Sequence, residues 1–149
     1  MRIGVMLRHV KQQRGGIKTY TNNLLEHLVK LDTVNEYIFV YHDEDSAGGY
    51  SVYPNVEEIV VGSPSRLTWD QIAMISVVRR KQLDLIFNPK LSIPLFADCK
   101  KIFVLHGGDW FTFSKTTRYS TDSTTVLLCQ YTAKRQIPSY QYPTALPNI

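Results

Sequence analysis

The sequence of 149 residues is poor in cysteine and contains no internal repeat. Its only cysteines are Cys99 and Cys129, and they form no CxxC pair, which argues against a zinc site. One disulfide and two free thiols both remain open, and the thiols are favoured in a reducing cytosol. The chain also lacks a G-x-G-x-x-G motif after its first apolar run, which disfavours a dinucleotide-binding dehydrogenase.

Long hydrophobic runs are missing as well. None approaches the ~20 apolar residues that a membrane-spanning helix requires. The first apolar run ends at Arg8, too early for the core of a signal peptide. We therefore predict a cytoplasmic protein.

The charge balance is only mildly basic, with a net charge of +4. The basic residues are scattered apart from two small clusters, Arg79-Arg80-Lys81 and Lys100-Lys101. We expect no nucleic-acid partner from this pattern, and we interpret the clusters first as solvated surface. A peripheral contact between the first cluster and anionic membrane lipid stays open as an alternative.

Short apolar runs alternate with two helical patterns along the chain. The runs at 3–7, 37–41, 58–61, 83–87 and 102–105 are typical of buried strands. The resulting order β-α-β-β-α-β-β predicts an α/β fold, with a Rossmann-like, mostly parallel sheet and helices on both faces. We place this domain at residues 1–137 and expect residues 138–149 to form an extended or disordered tail.

Apolar periodicity and capping signals predict the two helices. The first spans 16–31, and its apolar side chains recur at three- and four-residue steps (Ile17, Tyr20, Leu24, Leu28 and Leu31). The second begins at a capping box with Thr68 as the N-cap and Gln71 completing it, flanked by Leu67 and Ile72 at the positions of a hydrophobic staple. Its predicted buried face is Ile72, Ile75 and Val78, and we interpret Trp69 as a packing residue.

A glycine pair, Gly15-Gly16, stands between the first strand and the first helix. Glycine permits a sharp turn, a positive φ and a close approach to a ligand. The unpaired N–H groups of the following helix point at this loop, so the position suits a phosphate or carboxylate. A simple tight turn is the alternative.

Two further loops follow predicted strands, at Asn88-Pro89 and at His106 to Asp109. In α/β sheets the ligand lies beyond the carboxyl ends of the strands, where such loops meet. A structural histidine at a strand end is the alternative for His106, and a cap of the next turn is the alternative for Asp109.

Several motifs in a fixed order resemble a known family. They are Met1-Arg2-Ile3-Gly4-Val5, Arg14-Gly15-Gly16-Ile17 with Tyr20, Asn35-Glu36-Tyr37, Leu67-Thr68-Trp69-Asp70-Gln71, Asn88-Pro89, and His106-Gly107-Gly108-Asp109-Trp110-Phe111. Together they resemble the N-terminal domain of glycosyltransferase family 4, which is one half of the two-domain GT-B architecture. The resemblance covers roughly residues 1 to 113.

The resemblance implies that a sugar is transferred, with retention of configuration, from a nucleotide-sugar donor to an acceptor glycan or lipid. It implies no metal and no other cofactor. Gly15 and Gly16 would contact the diphosphate through their backbone, because preorganised N–H groups stabilise the charge of the leaving group. Arg14, and less directly Arg8, would add charge-assisted contacts. The remaining assignments are Asn88 to substrate binding and His106 and Asp109 to catalysis, near the transferred sugar and the acceptor.

The sequence also departs from the family pattern. It ends before the second domain, which supplies most of the nucleotide site, and it diverges from Ser114 onward. We therefore expect a truncated half that needs a C-terminal partner domain and is inactive alone. A non-catalytic remnant or binding module with the same fold is the alternative.

An isolated half of such an enzyme should expose an apolar face, for which Trp110, Phe111 and Phe113 are the candidate residues. We therefore expect the chain to dimerise or aggregate. Size-exclusion chromatography at high concentration checks this expectation, and a monodisperse monomer would contradict it.

Overall fold

Five parallel strands frame the fold in the computed structural model, which describes residues 1–8, 10, 15–90, 92–104 and 106. The strands are β1 (Arg2–Met6), β2 (Glu36–Tyr41), β3 (Val56–Val60), β4 (Leu85–Asn88) and β5 (Lys100–Phe103). Within the described residues they pair in the order β3-β2-β1-β4-β5, and every pairing is parallel. The predicted α/β, Rossmann-like fold is confirmed.

Apolar side chains cover both faces of this sheet, because successive residues of a strand point to opposite faces. On one face, Met6 packs with Ile38 and Ile86 in the cluster that also holds Trp69 and Met74. On the other face, Val5 and Leu7 pack with Phe39, beneath Leu25 and Val29 of the first helix. The predicted helices on both faces are therefore present.

The first helix, α1, spans Gly16–Leu31, as predicted. Its buried face was predicted one residue out of phase: Thr21, Leu25 and Val29 are buried, whereas Tyr20 is 40% and Leu31 81% exposed. A threonine occupies the first position of the buried stripe. Because threonine is polar, the spacing of apolar residues alone did not identify this stripe.

The second helical stretch comprises α2 (Arg66–Thr68), a π-helical turn (Trp69–Ala73) and α3 (Met74–Lys81), hereafter the 66–81 helix. Its N-cap is Ser65, which is extended at φ −144°, so the prediction of Thr68 as N-cap was wrong. Thr68 already has a helical φ of −65° and completes the capping box: Ser65 Oγ accepts from the Thr68 N–H, and Thr68 Oγ1 accepts from the Ser65 N–H.

The predicted hydrophobic staple of this helix was wrong, since Leu67 and Ile72 are 45% and 67% exposed. The predicted buried face was right at Val78, which is buried, and at Ile75, which packs against the core, but wrong at Ile72. The buried stripe also includes Trp69, Met74 and Val77. Trp69 is confirmed as a packing residue, since it is fully buried and its indole N–H donates to the Val61 carbonyl at 2.6 Å. This bond anchors the start of the helix to the end of β3.

All five strand starts differ from the prediction, by one residue at β1 and β2 and by two residues at β3, β4 and β5. Charged residues inside edge strands, such as Glu57 and Lys100, concealed the true starts of β3 and β5, because edge strands tolerate charge. The predicted domain end at 137, the tail at 138–149 and the apolar residues 110–113 lie outside the described residues. Within the described ranges, no helix combines the length and the apolar character needed to cross a bilayer.

The Ser65 capping box can be tested by substitution. We expect Ser65→Ala to lower the free energy of unfolding by about 1 kcal/mol, because it leaves N–H groups of the first turn without an acceptor. Ser76→Ala, at an exposed position of α3, is the matched control and should keep or slightly raise stability. Urea denaturation of both variants measures the difference, and equal effects would contradict the assigned cap.

Candidate functional site

The order of the strands places a crevice beside β1. The chain leaves β1 toward β2 on one side, whereas β4 pairs with β1 on the other side. Connections that diverge in this way open a space at the carboxyl ends of the two strands, which is where ligands bind in α/β sheets. Leu7 and Arg8 follow β1 at this edge, and Pro89 and Lys90 follow β4.

A cavity of about 150 Å³ occupies this crevice. Four parts of the fold contribute its walls: the end of β1, the first turns of α1, the first turns of the 66–81 helix, and the loop after β4. The described residues that line it are Met6, Leu7, Arg8, Thr21, Arg66, Trp69, Asp70, Asn88, Pro89, Lys90 and Ser92.

Positive charge predominates among the described lining residues, since three cations (Arg8, Arg66 and Lys90) face one carboxylate (Asp70). The Nε and Nη1 atoms of Arg8 are buried and have no hydrogen-bond partner in the part of the chain that the structure describes. Burial lowers the pKa of Arg8, an effect that the nearby Asp70 opposes. An arginine nevertheless keeps its charge in proteins, so its unpaired N–H groups favour an anion.

Asp70 is 6% exposed and lies in the π-helical turn. Its Oδ2 accepts a hydrogen bond from the Ser92 hydroxyl at 2.5 Å and lies 3.7 Å from Nε of Arg66. Burial raises the pKa of Asp70, against the opposing effects of the Ser92 hydrogen bond and the two arginines. Single π-helical turns within helices are frequent at functional sites. A buried carboxyl group with a shifted pKa is also typical of functional sites.

Thr21 and Lys90 also contribute to the polar surface of the cavity. Thr21 is fully buried, and its Oγ1 lacks a hydrogen-bond partner among the described residues. Burial lowers the pKa of Lys90, and the neighbouring Arg66 and Arg8 lower it further. Buried polar groups in proteins are generally paired, so the unpaired groups of Thr21 and Arg8 on one cavity indicate room for a ligand that pairs with them.

Asn88, predicted to bind substrate, is buried and lines the cavity. Its amide shapes the loop after β4, because Nδ2 donates to the Ser92 carbonyl and Oδ1 accepts from the Lys90 N–H at 2.9 Å. This asparagine turn places the side chains of Lys90 and Ser92 on the cavity.

His106, predicted to be catalytic, lies beside the cavity wall. Its Nε2 donates to the carbonyl of the lining residue Pro89 at 2.7 Å, so Nδ1 is the ring nitrogen that this hydrogen bond does not use. The ring meets Tyr20 of α1 edge-on, with centroids 5.1 Å apart. His106 and Asn88 are therefore joined through the loop after β4.

The glycine pair does not line the cavity. Gly15 and Gly16 are both exposed, and an added Cβ at either would meet no atom within 4 Å. Gly15 has a φ of +81°, so it fulfils the expected need for glycine in the turn into α1. Arg14 and Asp109, the other predicted site residues, lie outside the described residues.

The sequence interpretation missed five residues of the cavity: Thr21, Arg66, Asp70, Lys90 and Ser92. A signal for Asp70 was present. It precedes Met74 by four residues and Val77 by seven, so helical spacing places a carboxylate on the apolar stripe. A charged residue on such a stripe is rarely buried without a partner or a function.

The buried state of Asp70 gives a pH-dependent prediction. A raised pKa in the folded state means that folding favours the protonated carboxyl, so this contribution to stability is present at low pH and is lost as pH rises through the folded pKa. We expect Asp70→Asn to be more stable than the natural chain at neutral pH, with the difference vanishing near pH 4, about the ordinary pKa of aspartate. Urea denaturation at both pH values checks this. An Asn variant that is equally destabilised at both would show that Asp70 is purely structural.

Among the described residues, no group of three histidine, cysteine, aspartate or glutamate side chains is arranged to hold a metal ion. Comparison of the chain with protein-family models, with curated proteins and with solved structures yields no match. The functional assignment therefore depends on the residues and the geometry described above.

Proposed function

We propose that this chain is the N-terminal, acceptor-side domain of a cytoplasmic glycosyltransferase, and that the cavity beside β1 receives a phosphate group of a substrate. The observation that carries the proposal is the half-buried Arg8 side chain, whose buried Nε and Nη1 have no partner among the described residues and lie on a cavity at the carboxyl ends of β1 and β4. The motif resemblance supplies the reaction class, and the cavity supplies a place for the charge of its substrates.

The chemistry of sugar transfer from a nucleotide-sugar suits this charge distribution. As the bond to the sugar breaks, negative charge develops on the terminal phosphate of the departing nucleoside diphosphate. Preorganised N–H groups and cations in a partly buried site stabilise such charge more strongly than water does. Arg8, Arg66 and Lys90 supply three cations at one place.

The size of the cavity limits what this domain holds. Pockets that enclose a drug-sized ligand measure about 300–1,000 Å³, whereas this cavity measures about 150 Å³. It suits a phosphate group or a small sugar phosphate rather than a whole nucleotide. We propose that a C-terminal partner domain binds the rest of the donor and that transfer requires both halves.

His106 fits a role next to this phosphate. Its Nε2 is committed to the Pro89 carbonyl, so Nδ1 is the nitrogen that remains for a sugar or for developing charge. Arg14, Gly15, Gly16 and Asp109 keep the roles that the resemblance implies, as predictions.

Substitution of Arg8 tests the proposal directly. We expect nucleoside diphosphates, the leaving groups of the reaction, to bind the chain and Arg8→Met to weaken that binding at least about tenfold, the size of one lost charge-assisted hydrogen bond. Arg80→Met, at the exposed end of the 66–81 helix, removes the same charge elsewhere and should leave binding nearly unchanged. Calorimetric titration measures both, and circular dichroism confirms that the variants are folded.

Two results would contradict the proposal. If no nucleoside diphosphate binds the folded chain, the glycosyltransferase assignment is lost and a binding module of another kind takes its place. If Arg8→Met and Arg80→Met weaken binding equally, the nucleotide associates through general surface charge and the cavity is not its site.

A further inference from the structure

A carboxylate inside a cationic cavity imposes a second requirement on the ligand. Asp70 lines the cavity together with Arg8, Arg66 and Lys90, so from the described part of the lining an entering anion meets three cations and one negative charge. A fully ionised oxyanion is repelled by this carboxylate. An anion that carries its own O–H group can instead donate a hydrogen bond to the carboxylate, which turns the repulsion into a contact.

The contacts of Asp70 leave room for such a donor. Among the described residues, both of its contacts fall on Oδ2, from the Ser92 hydroxyl at 2.5 Å and from Nε of Arg66 at 3.7 Å. The other oxygen, Oδ1, accepts no hydrogen bond from these residues. The contacts of Oδ2 hold the carboxylate in place, and Oδ1 is available to accept a hydrogen bond from a ligand.

We propose that Asp70 makes the cavity selective for a terminal phosphate that carries a proton, and that it discriminates against a fully ionised oxyanion such as sulfate. The inference rests on the proposed function, because it takes the cavity as the phosphate site of a substrate. Three sources share this chemistry: free phosphate, a phosphorylated acceptor and the terminal phosphate of a nucleoside diphosphate.

Proton affinities support the pairing. The second pKa of a phosphate monoester is about 6, so a monoester that is mostly ionised at neutral pH takes up one proton at small cost when it binds, whereas sulfate does not take up a proton in this pH range. Burial of Asp70 raises the pKa of its carboxyl, which favours a proton shared between the side chain and the ligand. The charged groups that face Asp70 in the described part of the chain are Arg66 on its own helix, Arg8 after β1 and Lys90 after β4.

Calorimetric titration at constant ionic strength tests the selectivity. The ligands are inorganic phosphate, glucose 6-phosphate, a nucleoside diphosphate and sulfate, each added to the natural chain and to Asp70→Asn. We expect the natural chain to prefer phosphate over sulfate at least about tenfold, the effect of one charge-assisted hydrogen bond. Asp70→Asn should bring the ratio near one, because an amide N–H donates to either anion. Asp98→Asn, which neutralises an exposed carboxylate outside the cavity, should keep the preference.

A second measurement needs no variant. Sulfate can bind well only when Asp70 itself is protonated, so its binding should take up a proton and should strengthen as pH falls. Titrations in two buffers with different heats of ionisation measure that proton. Phosphate should take up a smaller fraction of a proton at the same pH.

The outcomes separate this inference from the function on which it rests. If no oxyanion binds the folded chain, the phosphate site itself is wrong. If phosphate and sulfate bind equally, without proton uptake and regardless of Asp70→Asn, the phosphate site stands and the selectivity is overturned. With the selectivity present, tighter binding of glucose 6-phosphate than of phosphate identifies a phosphorylated acceptor, and tighter binding of the diphosphate identifies the leaving group.

Discussion

The central position of β1 is the constraint on which the rest of the structure depends. Because β1 pairs in parallel with β2 on one side and with β4 on the other, both of its faces must be apolar and both must be covered. Val5 and Met6 meet this demand on opposite faces. The same position forces the chain to leave β1 in one direction and to return to β4 from the other, and the cavity is the space that this divergence leaves open.

The charged side chains that line this cavity lower the stability of the folded protein. Burial disfavours the ionised carboxyl of Asp70 and the ionised amine of Lys90, and the Arg8 guanidinium has buried N–H groups without partners in the described residues. If this cavity had only a structural role, apolar side chains in its lining would make the folded protein more stable. The surrounding fold holds these groups in place: Trp69 anchors the π-helical turn to β3, and Ser92 holds the Asp70 carboxylate. Such local violations of packing rules are expected where a protein binds a ligand.

The sequence predicted the architecture well because the strands and α1 are specified by local patterns of apolar residues. It was less informative where a polar residue occupies a buried position. Thr21 shifted the predicted face of α1, and Asp70 concealed the buried stripe of the 66–81 helix. The same two residues belong to the cavity. Periodicity therefore failed at the site itself, since a binding surface requires polar groups where packing alone would select apolar ones, and their convergence depends on contacts between distant segments.

The loop after β4 joins the residues found by resemblance to those found by geometry. Asn88 fixes this loop through the Ser92 carbonyl and the Lys90 N–H, and the Ser92 hydroxyl binds Asp70. The carbonyl of Pro89 in the same loop accepts the hydrogen bond from His106, after β5. A phosphate that pairs with Lys90 would therefore act on a loop that also orients His106. The placement of Lys90 and Ser92 on the cavity and of the imidazole beside it are two consequences of one asparagine turn, so Asn88 acts through the backbone of this loop in addition to lining the cavity.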